Sequence, residues 1–425
     1  MRSFVIRRLA LTMLDGVHRK GQMLSEPMSF PETLSDIDRA RALFLAKTTL
    51  RQRGRIDHVL DSLIDRRPHP AGFNVLRLAT AEIHGLGAIP ELVVDQAIRL
   101  IKELDRTRHL AGFANAVLRK AAGKTGSGIW STAQPSRLPE WIGSPVAEAL
   151  GEEVRRRIEA AHELAPPLDL TPVNASAAER MQAESGAILL PSGSLRLSGR
   201  ARVSELPGFG SGSWWVQDVA AAIPVKLLGQ LSGLDVLDLC AAPGGKTMQC
   251  SAGGANVTAL DVSDRRLGRL RENLRRTGLK ASIECGDALD WEPGRRFDVV
   301  IVDAPCTATG TIRRNPDLPL VKAEGGEDVR KLELLQRSLL HRAASFTRNG
   351  GRILYSVCSL FPSEGELLVN EVAANMGLNV IPVDCRQFGL EPEWQSANGG
   401  IWTRPDHLPD MGGMDGFYSV VLHRP

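Results

Sequence analysis

Asp238-Leu-Cys-Ala-Ala-Pro-Gly-Gly-Lys-Thr247 is the stretch that decides the fold. It follows a short apolar run, 234–237, broken only by Asp235, and it precedes Met248, Gln249 and Cys250 and then a glycine pair. That order reads as strand, tight turn, helix. Gly244 and Gly245 admit positive φ and a close approach of ligand to backbone. The free N–H groups at the start of the following helix suit a polar ligand group. The stretch fits neither G-x-G-x-x-G nor G-x-x-x-x-G-K-[ST]. Lys246-Thr247 imitates the end of a phosphate loop, but the leading glycine is missing. The reading that competes with an ATP site is an adenosine-containing cofactor held without phosphates.

The acids that follow favour the second reading. A second apolar strand, 256–260, ends at Asp261, and a third, 281–284, exits through Gly286-Asp287. In a doubly wound sheet an acid at the end of the second strand holds a ribose diol, and Asp287 is placed to accept from an adenine amine. Three acids at three successive strand exits suggest a nucleoside; the bland alternative is loop or capping acids. Further on, 297–302 is a nearly continuous apolar run, as a buried parallel strand requires, and it ends in Asp303-Ala-Pro-Cys306. A similar strand, 351–356, delivers Val357-Cys358-Ser359. Ligands of open sheets bind beyond the strand C-termini, so two cysteines from two strand ends point at one pocket. Either cysteine alone would read as inert and buried. Spacing does not say which one attacks.

These motifs resemble the class I, S-adenosylmethionine-dependent RNA (cytosine-5) methyltransferases, within them the small-subunit ribosomal RNA methyltransferase B subfamily. The match is carried by DLCAAPGGKT from Asp238, DAPCTATG from Asp303, RRNPD from Arg313, YSVCS from Tyr355 and Asp415-Gly-Phe-Tyr418. The resemblance implies S-adenosyl-L-methionine as cofactor, held by Cys240, Ala241, Ala242, Pro243, Gly244, Gly245, Lys246, Asp261, Arg266, Asp287 and Asp303. It implies Cys358 as the nucleophile that adds to cytosine C6, Cys306 as the residue that assists breakdown of the adduct, and Asp303 as a group that donates to N3 or orients the amino group. Arg313 and Arg314 are expected to grip RNA phosphates. Two departures stand out: Pro172-Val173-Asn174 lacks the family's arginine, and Gly365 replaces the asparagine of a Glu-Asn-Glu motif. Glu364 and Glu366 are expected to favour a first helical turn there.

The rest of the chain sets the context. Its 425 residues are enough for two or three domains. Lys plus Arg number 52 against 49 Asp plus Glu, which excludes nothing, because RNA needs local basic patches. The first sixty residues hold eleven basic and six acidic side chains, as a solvated helix face or an RNA contact would. No long apolar run suits a membrane span. The six cysteines lie in the last half without a C-x-x-C pair, so reduced, cytoplasmic cysteines are expected, with neither disulfides nor metal.

Residues 1–128 predict an all-helical bundle: Val75, Ala79, Ile83 and Leu86, then Val94, Ala97, Ile98, Ile101 and Leu104, recur at helical spacing. Gly112-Phe-Ala-Asn-Ala-Val-Leu-Arg119 resembles the NusB helical fold, which implies ribosomal RNA recognition with Asn115 and Arg119 as surface contacts; His84 is expected to be structural. The Gly/Ser/Thr/Pro-rich 123–137 predicts a linker, followed by helix over 139–164. Short β runs at 187–190 and 195–197 predict a small α/β RNA-binding subdomain, so that linker and subdomain fill 129–232. Trp214 and Trp215 are expected to stack on a base or to seal one domain against the next.

The fold class is therefore multidomain: a helical bundle, a small α/β subdomain, and a Rossmann-like class I methyltransferase domain over 233–425, closed by an antiparallel strand near Phe417. The chain is expected to be a monomer acting on small-subunit ribosomal RNA. A transfer-RNA cytosine methyltransferase is the alternative within the same chemistry. A nucleotide-triphosphate enzyme and a catalytically silent RNA-binding module are the alternatives outside it.

Overall fold

A computed structural model describes residues 2–26, 28, 34–199, 201–322 and 326–425. The chain divides into two compact units, one of residues 1–165 and 312–324, the other of residues 166–311 and 325–425.

The first unit is helical: α1 (Arg2–Lys20), α2 (Asp36–Arg51), α3 (Arg53–Asp61), α4 (Pro70–Thr80), α5 (Pro90–Glu103), α6 (Ala111–Ala122), α7 (Lys124–Thr132), α8 (Glu140–Leu150) and α9 (Glu152–His162). The spacings translate into packing. Val94, Ala97 and Ile101 of α5 enter one core with Val75 and Ala79 of α4 and Val117 and Leu118 of α6. Ser35 caps α2 by accepting from Asp38 N, as a serine N-cap should. His84 stacks on Trp130 with ring centroids 5.1 Å apart, and its Nε2 lies 2.9 Å from the Ala121 carbonyl.

Two expectations fail here. The predicted linker 123–137 contains α7, and the expected boundary at 128 falls inside that helix. Composition misled because tertiary packing overrides weak propensity: Trp130 packs against the core of the first unit. Helices α8 and α9 also belong to this unit, which runs to residue 165.

The second unit begins with a four-stranded antiparallel sheet, order β2-β3-β1-β4, made of β1 (Leu168–Pro172), β2 (Ile188–Leu189), β3 (Leu195–Leu197) and β4 (Trp214–Val216), with α10 (Ala175–Ser185). Asn174 caps α10, accepting from Ala177 N at 2.9 Å, and Pro172 pairs with Trp214 in the ladder. Both tryptophans are buried. Trp214 fills the core of this small sheet, and Trp215 packs with Ala241, Met248 and Leu270 of the larger one. They seal the subdomain, and neither presents a face to a base.

After α11 (Val219–Lys226) comes the doubly wound sheet: β5 (Asp235–Leu239), α12 (Gly245–Ala252), β6 (Asn256–Asp261), α13 (Asp264–Thr277), β7 (Ser282–Cys285) and β8 (Phe297–Asp303). Residues 312–324, with α14 (Leu318–Val321), then belong to the first unit. The chain resumes with α15 (Gly326–Phe346), β9 (Thr347–Val357), α16 (Glu366–Met376), β10 (Asn379–Ile381), β11 (Ile401–Thr403) and β12 (Phe417–His423). Strand order is β10-β12-β9-β8-β5-β6-β7, with β11 on β12. The β5, β6, β7, β8 and β9 pairings are parallel, and β12 runs antiparallel to β9. The apolar run of β8 is continuous because both its faces are covered. Val300 and Val302 meet Leu340 and Ala343 of α15, while Val299 and Ile301 meet Val225 and Cys250 on the other side.

Candidate active site

Strand β5 delivers the quoted turn to the C-terminal edge of the sheet. Gly244 has φ +105°, and a Cβ there would fall 2.1 Å from Leu270 Cδ1 of α13. Only glycine suits both the backbone and that close packing. Asp238 is fully buried. Its Oδ2 accepts from Thr247 Oγ1 at 2.5 Å, and its Oδ1 has no partner. Burial pushes the Asp238 carboxyl up to about 7 against the hydrogen bond from Thr247.

The acid that ends β6 braces the turn. Asp261 Oδ2 accepts from Ala242 N at 3.0 Å, and its Oδ1 accepts from Ser263 N at 2.9 Å. Arg266 Nη1 lies 3.4 Å from Asp261 Oδ2, and Arg266 also donates to the Ala242 carbonyl. Ala241 and Ala242 are buried, and Pro243 is exposed. Beside them Val262 presents an exposed side chain, and Asp287 is exposed, its Oδ1 accepting from Leu289 N at 2.9 Å. An unpartnered buried acceptor, a glycine cradle, an apolar side chain and acids at neighbouring strand ends together fit a cationic, adenosine-bearing ligand. No phosphate-loop geometry is needed. Cys240 lies in this turn, but burial and the surrounding acids push its thiol up to about 12, which keeps it out of nucleophilic chemistry.

Lys246 is buried and reaches Asp303. Its Nζ is 2.7 Å from Asp303 Oδ1 and 5.4 Å from the centre of the Phe417 ring. The ion pair joins the glycine turn to the end of β8.

Strands β8 and β9 are parallel neighbours with Asp303 opposite Ser356, so the residues just past their ends converge. Cys306 Sγ and Cys358 Sγ are 3.4 Å apart. Their hydrogen bond, then burial, then the charges of Cys358 and, last, Glu364 hold the Cys306 thiol well above its ordinary range. Gly310 ties the two loops to the last strand: its N donates to the Cys358 carbonyl at 3.0 Å, and its carbonyl accepts from Gly416 N at 2.8 Å.

Beneath the thiols is a group that the sequence reading did not assign to the site. Glu364 is fully buried. It accepts from Thr307 N at 2.9 Å, Thr307 Oγ1 at 2.5 Å, Gln336 Nε2 at 3.0 Å and Ser359 Oγ. Gln336 Nε2 also donates to the Pro305 carbonyl at 2.9 Å. The expected helix start is present, since Glu366 begins α16, while Glu364 ends the short 3-10 turn Pro362–Glu364 and turns its carboxylate to the interior. The available signal was the hydroxyl set Thr307, Thr309 and Ser359, which needs an acceptor when buried.

Arg313 is fully buried and belongs, with Arg314, to the first unit. There Arg51 Nε donates to the Arg313 carbonyl at 2.9 Å, and Lys47 Nζ donates to the Arg314 carbonyl at 2.6 Å. Arg314 is half-buried. Asn115 and Arg119 line an open concavity of about 840 Å³ between α5 and α6. Among the described residues no helix is long and apolar enough to cross a membrane, and no group of three or more His, Cys, Asp or Glu is arranged to hold a metal.

Residues 226–423 match the model of the family described as 16S rRNA methyltransferase RsmB/F, and residues 5–123 match that of the NusB family. The chain is 30% identical over 439 aligned residues to the ribosomal RNA small subunit methyltransferase B of Vibrio cholerae serotype O1, covering 99% of this chain and 97% of that one. The protein of the same name from Klebsiella pneumoniae is also 30% identical, over 84% of this chain and 87% of its own. Among solved structures, a methyltransferase homolog protein from Pyrococcus horikoshii superposes with a TM-score of 0.56 at 24% identity, covering 66% of this chain and 94% of that one, a likeness of fold.

Proposed function

Because this chain belongs to the ribosomal RNA small subunit methyltransferase B family, we propose that it methylates C5 of a cytosine in small-subunit ribosomal RNA through a covalent Cys358 adduct. The observation that carries the chemistry is the pair of thiols 3.4 Å apart at the ends of two parallel strands, beside the glycine turn.

Cytosine C5 is a poor nucleophile. Addition of the Cys358 thiolate to C6 gives C5 enamine character, which is covalent catalysis. S-adenosylmethionine supplies an electrophilic sulfonium methyl, and Asp238, Asp261, Asp287 and the Gly244 turn are the residues that would hold it. Once C5 carries the methyl, the sulfonium sulfur having left as a neutral thioether, a base takes the C5 proton, the C5–C6 double bond re-forms and Cys358 leaves as a thiolate. Cys306, held as a thiol, assists that breakdown. Asp303 is ion-paired with Lys246; a paired carboxylate accepts, so it holds the base by its exocyclic amino group. The base must leave its stack to reach the thiols. A cytoplasmic location goes with this family reading.

Incubation of the protein with methyl-labelled S-adenosylmethionine and total RNA tests the substrate. The label is expected as 5-methylcytosine at one position of small-subunit ribosomal RNA. Label confined to transfer RNA would favour the alternative substrate. Tight ATP binding without S-adenosylmethionine binding would remove the cofactor assignment.

A further inference from the structure

We infer that Glu364 is the positioning residue of the two-thiol centre: its buried carboxylate clamps the loop after Cys306 to the loop after Cys358 and so fixes how the two sulfurs face one base. This deepens the covalent methyltransferase reading and rests on it.

The geometry is specific. Oε1 takes the Thr307 N–H, at the residue next to Cys306, and the Gln336 amide. Oε2 takes the hydroxyls of Thr307 and of Ser359, the residue next to Cys358. One carboxylate therefore binds the immediate chain neighbours of both cysteines. Gln336 extends the clamp to the Pro305 carbonyl on the other side of Cys306. The Glu364 backbone is fixed too, since its carbonyl accepts from the buried Tyr355 hydroxyl at 2.7 Å. Thr309 Oγ1 completes the cluster, 3.3 Å from Ser359 Oγ, while receiving Leu360 N at 2.9 Å.

A buried carboxylate is costly to place unless donors surround it, and Glu364 has four. A surface glutamate would serve equally well if its task were only to start a helix. Hydrogen bonds to a charged acceptor are shorter and stronger than neutral ones, and they hold the loops against each other at the point where reacting atoms must meet. Glu364 is fully buried; it acts through Thr307 and Ser359. The Glu364 charge also helps hold Cys306 as a thiol, together with Cys358 and burial.

The test compares the full-length wild type with Glu364→Gln, Glu364→Asp and Ser359→Ala. Gln keeps the length and loses the charge, Asp keeps the charge and loses the reach, and Ser359→Ala removes a single donor should either Glu364 variant fold poorly. Single-turnover methylation of target RNA is expected to slow about 10- to 100-fold in both Glu364 variants, as misplacement by an ångström does. The Kd for S-adenosylmethionine and the KM for RNA should stay within about twofold, a split that general unfolding would not give. Ser359→Ala should slow the step less, and little further in the Glu364→Gln background, because both act through one contact. Wild-type rates in Glu364→Gln, or a rate loss that only follows lost cofactor affinity, overturn the inference.

A second readout does not depend on the methyltransferase reading. Dibromobimane bridges thiols that are held close together, and peptide mapping separates the bridged Cys306–Cys358 product from singly labelled cysteine. The wild type should give mainly bridged product, and Glu364→Gln mainly single labels. An unchanged ratio overturns the clamp, whereas an absence of methyl transfer in the wild type with a changed ratio overturns the function and keeps the clamp.

Discussion

Asp238 carries the clearest consequence at the scale of one residue. An unfolded aspartate titrates near ~4, but burial holds this one protonated up to about 7. Between those values the folded protein keeps a proton that the unfolded chain has lost. Stability is therefore full below the unfolded value, falls as pH rises towards about 7, and falls no further above it. Thermal melting of the cofactor-free protein at pH 5 and pH 8 should show the effect. Asp238→Asn should melt with a smaller loss between the two pH values, a difference of roughly a few kcal/mol in stability. Parallel behaviour of the two proteins would mean that Asp238 is solvated or paired. Reading such a residue from sequence stops at its position: the strand exit was legible, but the orphaned Oδ1 depends on burial by distant segments. The same limit hid Glu364, whose neighbours Thr307 and Ser359 are 57 and 5 residues away.

Elements were legible where a period or a turn forced them. Strands β5, β6 and β8 followed from apolar runs that end in acids, and Gly244 with its +105° φ needed no homologue to suggest a turn. Helix α13 carries local signals of the same kind: Ser263 caps its start, Gly278 ends it with φ 69°, and Leu267, Leu270 and Leu274 form its buried stripe. Helix α7 was not, because its glycines and serines argue locally for a loop and Trp130 decides the matter from outside. Strands β1 and β4 were missed as well, being short and stabilised by pairing with each other. A prediction belongs to the meeting of the two cysteine loops with the last strand. A Cβ on Gly310 would fall 2.0 Å from the Gly416 carbonyl oxygen, which is backbone and cannot swing away. Gly310→Ala should destabilise the second unit by about 1–3 kcal/mol and slow adduct formation, seen as a lower Tm with a reduced single-turnover rate. An unchanged Tm and rate would show that these loops part easily.

For the whole molecule, composition said little and motifs said much. A formal charge of +3 neither required nor excluded RNA, and of the arginine pair expected at phosphates Arg313 is buried and Arg314 half-buried, which sequence does not reveal. The division at 165 was hidden for a related reason: α8 and α9 look in sequence like the start of a second domain, yet they belong to the first unit. Binding to ribosomal RNA rests on phosphate contacts, so the affinity should fall steeply between ~50 and ~200 mM salt. Titration across that range checks it, and a flat response would point to binding through base or protein contacts alone. The central claim is the division of labour between the thiols, and covalent capture tests it most directly. Cys306→Ala protein is incubated with S-adenosylmethionine and total cellular RNA, denatured, and the RNA that remains attached is sequenced. The account predicts an adduct through Cys358 at one small-subunit ribosomal RNA cytosine, and none with Cys358→Ala. Attachment that instead appears only in the Cys358→Ala protein would reverse the two roles.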